Sequence, residues 1–270
     1  MLKQKVITAL WTMPLLVAAV WFEKPLSWFT LLAAIWGILA VTEFYRLVAN
    51  AKTPPLTYFG LAWTFLFIVG RDEPYFDPGL LIPLLLTTAV ILPLIWCLLR
   101  KPKENAFAAW VWTLAGIIYI GWLLGHLVAI RDLEDGRNWA LFALFITFAS
   151  DSAAFFVGRA LGRHKLAFYI SPRKTWEGAI GGIVGAIIVS LFFLLPTPLI
   201  LPFSWWQAVI LGLLVSIFGQ LGDLTESLFK RNMGVKDSGR LLPGHGGFLD
   251  RMDSILFAGV VVYYCAIWIA

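Results

Sequence analysis

Ser204-Trp-Trp-Gln-Ala-Val-Ile-Leu-Gly-Leu-Leu-Val-Ser-Ile-Phe-Gly-Gln-Leu-Gly-Asp-Leu-Thr-Glu226 is an apolar run long enough to cross a ~30 Å hydrocarbon core as a helix. It leads straight into Ser227-Leu-Phe-Lys-Arg-Asn-Met-Gly-Val-Lys-Asp-Ser-Gly-Arg-Leu-Leu-Pro-Gly-His-Gly-Gly-Phe-Leu-Asp-Arg-Met-Asp253, which crowds cations, carboxylates, one His and a glycine turn before the next run. A spanning helix followed by charge at this density points to an all-α polytopic membrane protein with its chemistry at one membrane face. Lys and Arg beside a glycine-rich turn suit phosphate oxygens, and paired Asp residues suit a hard divalent cation.

The rest of the chain repeats the apolar theme. It is 60% hydrophobic and 14% charged, where soluble domains are roughly a quarter charged. Runs at about 6–22, 26–45, 57–71, 79–99, 106–130, 138–158, 178–196, 204–226 and 254–269 predict nine transmembrane helices. No long polar tract leaves room for a soluble domain, so residues 1–270 are expected to form a single integral membrane domain. Lys3 and Lys5 precede the first run, but Ala18-Ala-Val-Trp-Phe-Glu23 lacks a small-x-small cleavage site and a second run follows at once. An uncleaved first span is the expectation.

Charge asymmetry orients the spans. Lys3 and Lys5, then Arg46 and Lys52, Arg100, Lys101 and Lys103, Arg159, Arg163, Lys165, Arg173 and Lys174, and finally Lys230, Arg231, Lys236, Arg240 and Arg251 fall on one side. These are 17 of the 21 basic residues. The other side holds Lys24, Arg71, Arg131 and Arg137, mixed with Asp72, Glu73, Asp77, Asp132, Glu134 and Asp135. The N-terminus and the 227–253 motif are therefore expected in the cytoplasm and the C-terminus outside. Topology accounts for the net charge of +5, so anionic lipid headgroups rather than nucleic acid are the expected neighbours. Cys97 and Cys265 lie inside apolar runs and suggest no disulfide or zinc site.

Function should concentrate in the two long, basic, glycine-marked cytoplasmic loops. Leaving the eighth span, Asp223 and Ser227 form one i,i+4 pair, and Glu226 and Lys230 another. A snorkelling helix end explains Lys230 and Arg231, but not an acid two turns deeper at Asp223. Beyond the Gly-His-Gly-Gly turn, Asp250 and Asp253 share a face if the ninth helix starts there. With Asp223 they could hold one or two Mg²⁺ ions. As a cap and a first-turn acid they would have a structural role only, which does not cover the set with Asp223. Gly246 and Gly247 let backbone N–H groups approach an anion. His245 is assigned phosphate contact or loop shaping.

The sixth connection is the second constellation. Ser171 before Pro172 reads as a helix N-cap, which places Lys174 and Thr175 in the first turn of the seventh helix. Lys174 would oppose the dipole there unless an anion is bound. Glu177 stabilises the dipole or pairs with Lys174. Glu43 reads as a partner of Arg46 at the membrane edge, and His126 as a satisfied core histidine. Many of the Trp residues lie near span ends and read as interfacial anchors.

Ser227, Lys230, Arg231, Lys236, Asp237, Gly239, Pro243, His245, Gly246, Gly247, Asp250, Arg251 and Asp253 match every fixed position of the phosphatidate cytidylyltransferase (CDP-diacylglycerol synthase) family signature, which this chain resembles. Ser171, Pro172, Lys174, Thr175, Glu177 and Gly178 resemble the family's second motif. Asp151, Gly158, Arg159 and Gly162 resemble its preceding helix, with Phe155 where Tyr is more usual. The resemblance is specific over 151–254; upstream it rests on span count, length and Glu43.

The resemblance implies a membrane enzyme, homodimeric, that converts CTP and phosphatidate to CDP-diacylglycerol and pyrophosphate with Mg²⁺. Its candidate catalytic residues are Asp223, Lys230, Asp250 and Asp253, with Asp223, Asp250 and Asp253 as metal ligands. Ser171, Lys174, Thr175, Glu177, Ser227, Arg231, Lys236, Asp237, His245, Gly246, Gly247 and Arg251 are expected to bind substrate. Phosphatidate's second ionisation near ~6–7 makes it an anionic nucleophile at neutral pH, so no general base is required. CTP-dependent enzymes acting on a polyprenol or an archaeal ether lipid are the nearest alternative. An ion-coupled transporter would spread its acids across the membrane depth, whereas here they cluster at one face.

Overall fold

The computed structural model describes residues 14, 16–22, 27–51, 53–72, 76–99, 105–239 and 246–269. Eight helices coincide with the second to ninth apolar runs: α1 (Trp28–Asn50), α2 (Thr57–Val69), α3 (Pro78–Leu99), α4 (Ala106–Arg131), α5 (Gly136–Leu161), α6 (Trp176–Phe192), α7 (Trp205–Asn232) and α8 (Asp253–Ile269). Five of them, α1, α3, α4, α5 and α7, are long and apolar enough to cross a membrane. The others are apolar but shorter, at 13, 17 and 17 residues. The first expected run lies mostly outside the described residues.

The structure is that of an all-α membrane protein with one departure. Between α5 and α6 the chain forms an antiparallel hairpin, β1 (Lys165–Ala167) and β2 (Ser171–Thr175). Lipid exposure is written on the helices: Leu80, Leu84, Ile91, Ile95 and Leu98 of α3 are exposed at helical spacing, which is stable only against hydrocarbon. Trp28, Trp176, Trp205 and Trp268 are exposed at helix ends, as interfacial anchors should be.

The chain divides into two compact parts. The first comprises Met1–Ala129 and Met233–Met252, the second Ile130–Asn232 and Asp253–Ala270. In the first, Phe67, Ile82, Leu85, Ala89 and Ile117 form an apolar core. Tyr45 is buried beside Gly60 and Gly116, where a Cβ would collide with its ring, and donates to the Thr113 carbonyl at 2.7 Å. His126 of α4 is buried, as expected of a core histidine, with Nδ1 2.8 Å from the Trp122 carbonyl. In the second part α5 packs along α6, and α7 packs on α6 and α8. Gly178, Gly182 and Gly185 of α6 meet Ala149, Ala153, Ala154 and Gly158 of α5. Small residues let the backbones approach closely where apolar burial gives no advantage over lipid. Hydroxyl and amide ties add direction: Ser150 and Ser216 share a 2.7 Å hydrogen bond, and Gln220 donates to the Ala179 carbonyl at 3.1 Å.

Candidate active site

The second part carries an acidic cluster drawn from α5, α7 and the start of α8. Lys174, near the end of β2, places Nζ 2.6 Å from Oδ2 of Asp223 on α7. One turn on, Ser227 donates to Asp223 Oδ1 at 3.4 Å. Asp151 of α5 accepts from Ser254 Oγ at 3.3 Å. Asp253 opens α8, its Oδ1 accepting the Ser254 N–H at 2.9 Å. Asp151, Asp223 and Asp253 lie near enough for their charges to repel one another, with Glu226 adding to the field at Asp253. Asp151 is exposed, and Asp223 and Asp253 are half-buried, so the cluster is open to a charged ligand.

One turn beyond Asp223, the expected i,i+4 pair closes: Lys230 Nζ is 2.6 Å from Glu226 Oε2, with Glu226 fully buried. Arg231 is exposed and donates from Nε to the Ile170 carbonyl at 3.2 Å, pinning the hairpin tip to α7.

The second motif departs from its sequence reading. Ser171 is not a helix cap, and Lys174 and Thr175 are not in a first turn. Ser171–Thr175 is a strand, with Ser171 paired to Ala167 and Thr175 to Lys165. Thr175 is the true N-cap of α6, its Oγ1 accepting the Gly178 N–H at 3.2 Å. A Cβ on Gly162 would lie 2.8 Å from Thr175 Oγ1, and one on Gly158 would lie 3.1 Å from it, so both glycines make room for the cap. The strand carries Lys174 to Asp223, which gives that cation an acid partner in place of an opposed dipole.

Glu177 sits in the first turn, as its dipole reading expects, but does not pair with Lys174. It accepts the backbone N–H groups of Arg163 and His164 at 3.1 and 3.2 Å and lies 2.6 Å from the His164 ring. Glu177 precedes the apolar run that begins at Gly178. Its own backbone N–H and the His164 ring, with those two amides, hold its carboxyl well below the usual range, at about 2.

The first part holds the rest of the motif. Leu249–Arg251 is a 3₁₀ turn and the helix begins only at Asp253, so Asp250 and Asp253 do not share one helical face. Asp250 Oδ2 accepts from Ser238 N at 3.0 Å, Ser238 Oγ at 3.0 Å and Gly247 N at 2.8 Å. The Gly247 N–H, expected to face an anion, therefore serves Asp250. Gly246 adopts φ +83, a conformation L side chains rarely take, and a Cβ there would also lie 2.7 Å from Asp250 Oδ2. Lys236, Asp237 and Arg251 are exposed. Pro243 and His245 lie outside the described residues.

Glu43 is a correction. Its Oε2 accepts from Ser238 Oγ at 2.9 Å and from the Leu249 N–H at 3.0 Å, in place of the expected Arg46 partner. Sequence reasoning also passed over Asp151 and Glu226 as site residues, although each is an acid inside an apolar run, the signal that had singled out Asp223.

Among the described residues no three His, Cys, Asp or Glu side chains form a group that could cage a metal ion by themselves. Mg²⁺ held jointly by one or two carboxylates, water and substrate phosphates needs no such cage. Three mutually repelling acids beside one lysine leave negative charge for a cation to offset, and their oxygen donors suit Mg²⁺.

The sequence profile of the cytidylyltransferase family matches residues 3–268. A phosphatidate cytidylyltransferase of Bacillus subtilis strain 168 is 37% identical over 238 residues, 87% of each chain. One from Brucella suis is 38% identical over 87% of this chain and 83% of its own. One from Staphylococcus saprophyticus is 44% identical over 53% of this chain and 54% of its own.

Proposed function

The chain belongs to the cytidylyltransferase family, and from that membership we propose that it is a phosphatidate cytidylyltransferase. It transfers the cytidylyl group of CTP to phosphatidate, giving CDP-diacylglycerol and pyrophosphate for phospholipid synthesis. The observation that carries this reading is the Lys174–Asp223 pair set among Asp151 and Asp253 at the end of a spanning helix. A site for two polyanions needs both a cation clamp and acids that recruit more positive charge.

A phosphate oxygen of phosphatidate attacks the α-phosphorus of CTP, and the bond to the β-phosphate oxygen breaks. Lys174, Lys230, Arg231 and Lys236 supply charge for phosphate oxygens, Lys230 held in register by Glu226. Ser227 steadies Asp223. Asp223 and Asp253, with Asp151 beside them, are the carboxylates that would hold Mg²⁺; Asp250 is assigned to the metal by its position in the motif alone. Bound Mg²⁺ would offset the repulsion between the two substrates and stabilise the departing pyrophosphate. No side chain is asked to remove a proton, because the nucleophile is already ionised at neutral pH.

The same reading makes the protein a homodimer of nine-span chains in the inner membrane, each one membrane domain. Its N-terminus and site face the cytoplasm and its C-terminus faces outward. The basic residues' alternation supports the orientation. The test is incorporation of label from CTP into lipid by purified protein, offered phosphatidate, a polyprenol or an archaeal ether lipid with Mg²⁺. Equimolar pyrophosphate and CDP-diacylglycerol from phosphatidate alone is the expected result. Label entering only the polyprenol or the ether lipid would overturn the substrate assignment.

A further inference from the structure

Glu43 is 1% exposed in α1, an expensive place for a carboxylate unless donors surround it. The donors come from a segment about two hundred residues away: Ser238 Oγ at 2.9 Å and Leu249 N–H at 3.0 Å, both to Oε2. The segment is shaped to that carboxylate. A Cβ on Gly239 would strike Glu43, and one on Gly247 would strike both Glu43 and Ser238 Oγ. These two motif glycines are therefore explained by Glu43 rather than by any anion outside the protein.

We propose that Glu43 is a positioning residue for cytidylyl transfer, acting on Asp250 through the Ser238 hydroxyl. Ser238 Oγ lies 2.9 Å from Glu43 Oε2 and 3.0 Å from Asp250 Oδ2, its one proton shared between the two carboxylates. Asp250 Oδ2 also takes the Ser238 and Gly247 amides, so the carboxylate's orientation is fixed from the same loop that Glu43 holds. Packing alone would be met by an apolar residue at 43. A buried acid that holds the partner of a motif aspartate fixes a direction, as partners of ligating carboxylates do elsewhere. This inference rests on the reading that Asp250 serves the reaction.

The experiment compares Glu43→Ala, Glu43→Gln, Ser238→Ala, the Glu43→Ala/Ser238→Ala double variant and Asp250→Asn in purified full-length enzyme. Glu43→Ala and Ser238→Ala should each lower kcat ~10–100-fold, with KM for phosphatidate little changed. The double variant should be no worse than the poorer single, because both act along one path. Glu43→Gln keeps an acceptor for Ser238 and Leu249 and should recover most of the activity. Hydrogen exchange at the Ser238 and Gly247 amides should accelerate in Glu43→Ala, a change that measures Asp250's setting independently of turnover.

A folded Glu43→Ala with kcat within twofold of the parent, or losses that multiply in the double variant, would overturn the proposal. Should Glu43→Ala not fold, Ser238→Ala decides: an unchanged kcat sinks the relay. Full activity in Asp250→Asn would instead remove the reading of Asp250, whereas an impaired Asp250→Asn beside a normal Glu43→Ala rejects Glu43 alone.

Discussion

Glu226 and Lys230 put two opposing contributions in one place, the cost of burying charge and the attraction at 2.6 Å that offsets it. Removing only the acid leaves a buried ammonium without that partner. Glu226→Ala should therefore destabilise the protein by ~3–5 kcal/mol, read by thermal unfolding in detergent. Glu226→Leu with Lys230→Met should recover most of that loss yet remain inactive, since Lys230 is assigned to phosphate. Recovery of activity along with stability would show that Lys230 serves packing only. Asp223→Asn and Asp253→Asn should each cut turnover by orders of magnitude with folding intact, Asn being nearly isosteric; near-parental rates in both at low Mg²⁺ would remove them from the site. Asp223, Lys230 and their i,i+4 partners were legible because helical spacing alone sets such neighbours. Glu43's partners were not, because nothing local in Thr42-Glu-Phe-Tyr-Arg46 points to Ser238 and Leu249.

Elements show where local signals compete. Ser171-Pro172 carries a good start signal for a helix, yet α6 begins at Trp176, because residues 171–175 are taken by pairing with 165–167. Thr175 met the same chemical requirement for a cap and also packs beside Gly158 and Gly162. The α5–α6 contact depends on the absence of side chains. A Cβ on Gly185 would already lie 2.5 Å from that of Ala153. Gly185→Leu should push these helices apart and cost ~1–3 kcal/mol, with a lower Tm in detergent. A Tm equal to the parent's would mean that this contact is looser than the structure has it.

At the scale of the whole molecule, charge predicts an orientation that labelling can test. With 17 of 21 basic residues on one side, a single cysteine at Lys236 should react with an impermeant thiol reagent only from the cytoplasm, and one at Ala270 only from outside. The background for this labelling replaces Cys97 and Cys265. Labelling of both from one side would break the alternation and the count of nine.

The all-α membrane class and the positions of the second to ninth runs were legible in sequence alone, because a bilayer demands long apolar stretches. The candidate role of 227–253 came from the sequence for a related reason: charge beside an apolar span has no inexpensive structural explanation. Tertiary structure decided which acid meets which donor. It gave Lys174 to Asp223, and it turned the glycines at 239 and 247 toward Glu43. Such pairings join residues far apart in the chain, and periodicity describes only neighbours along it.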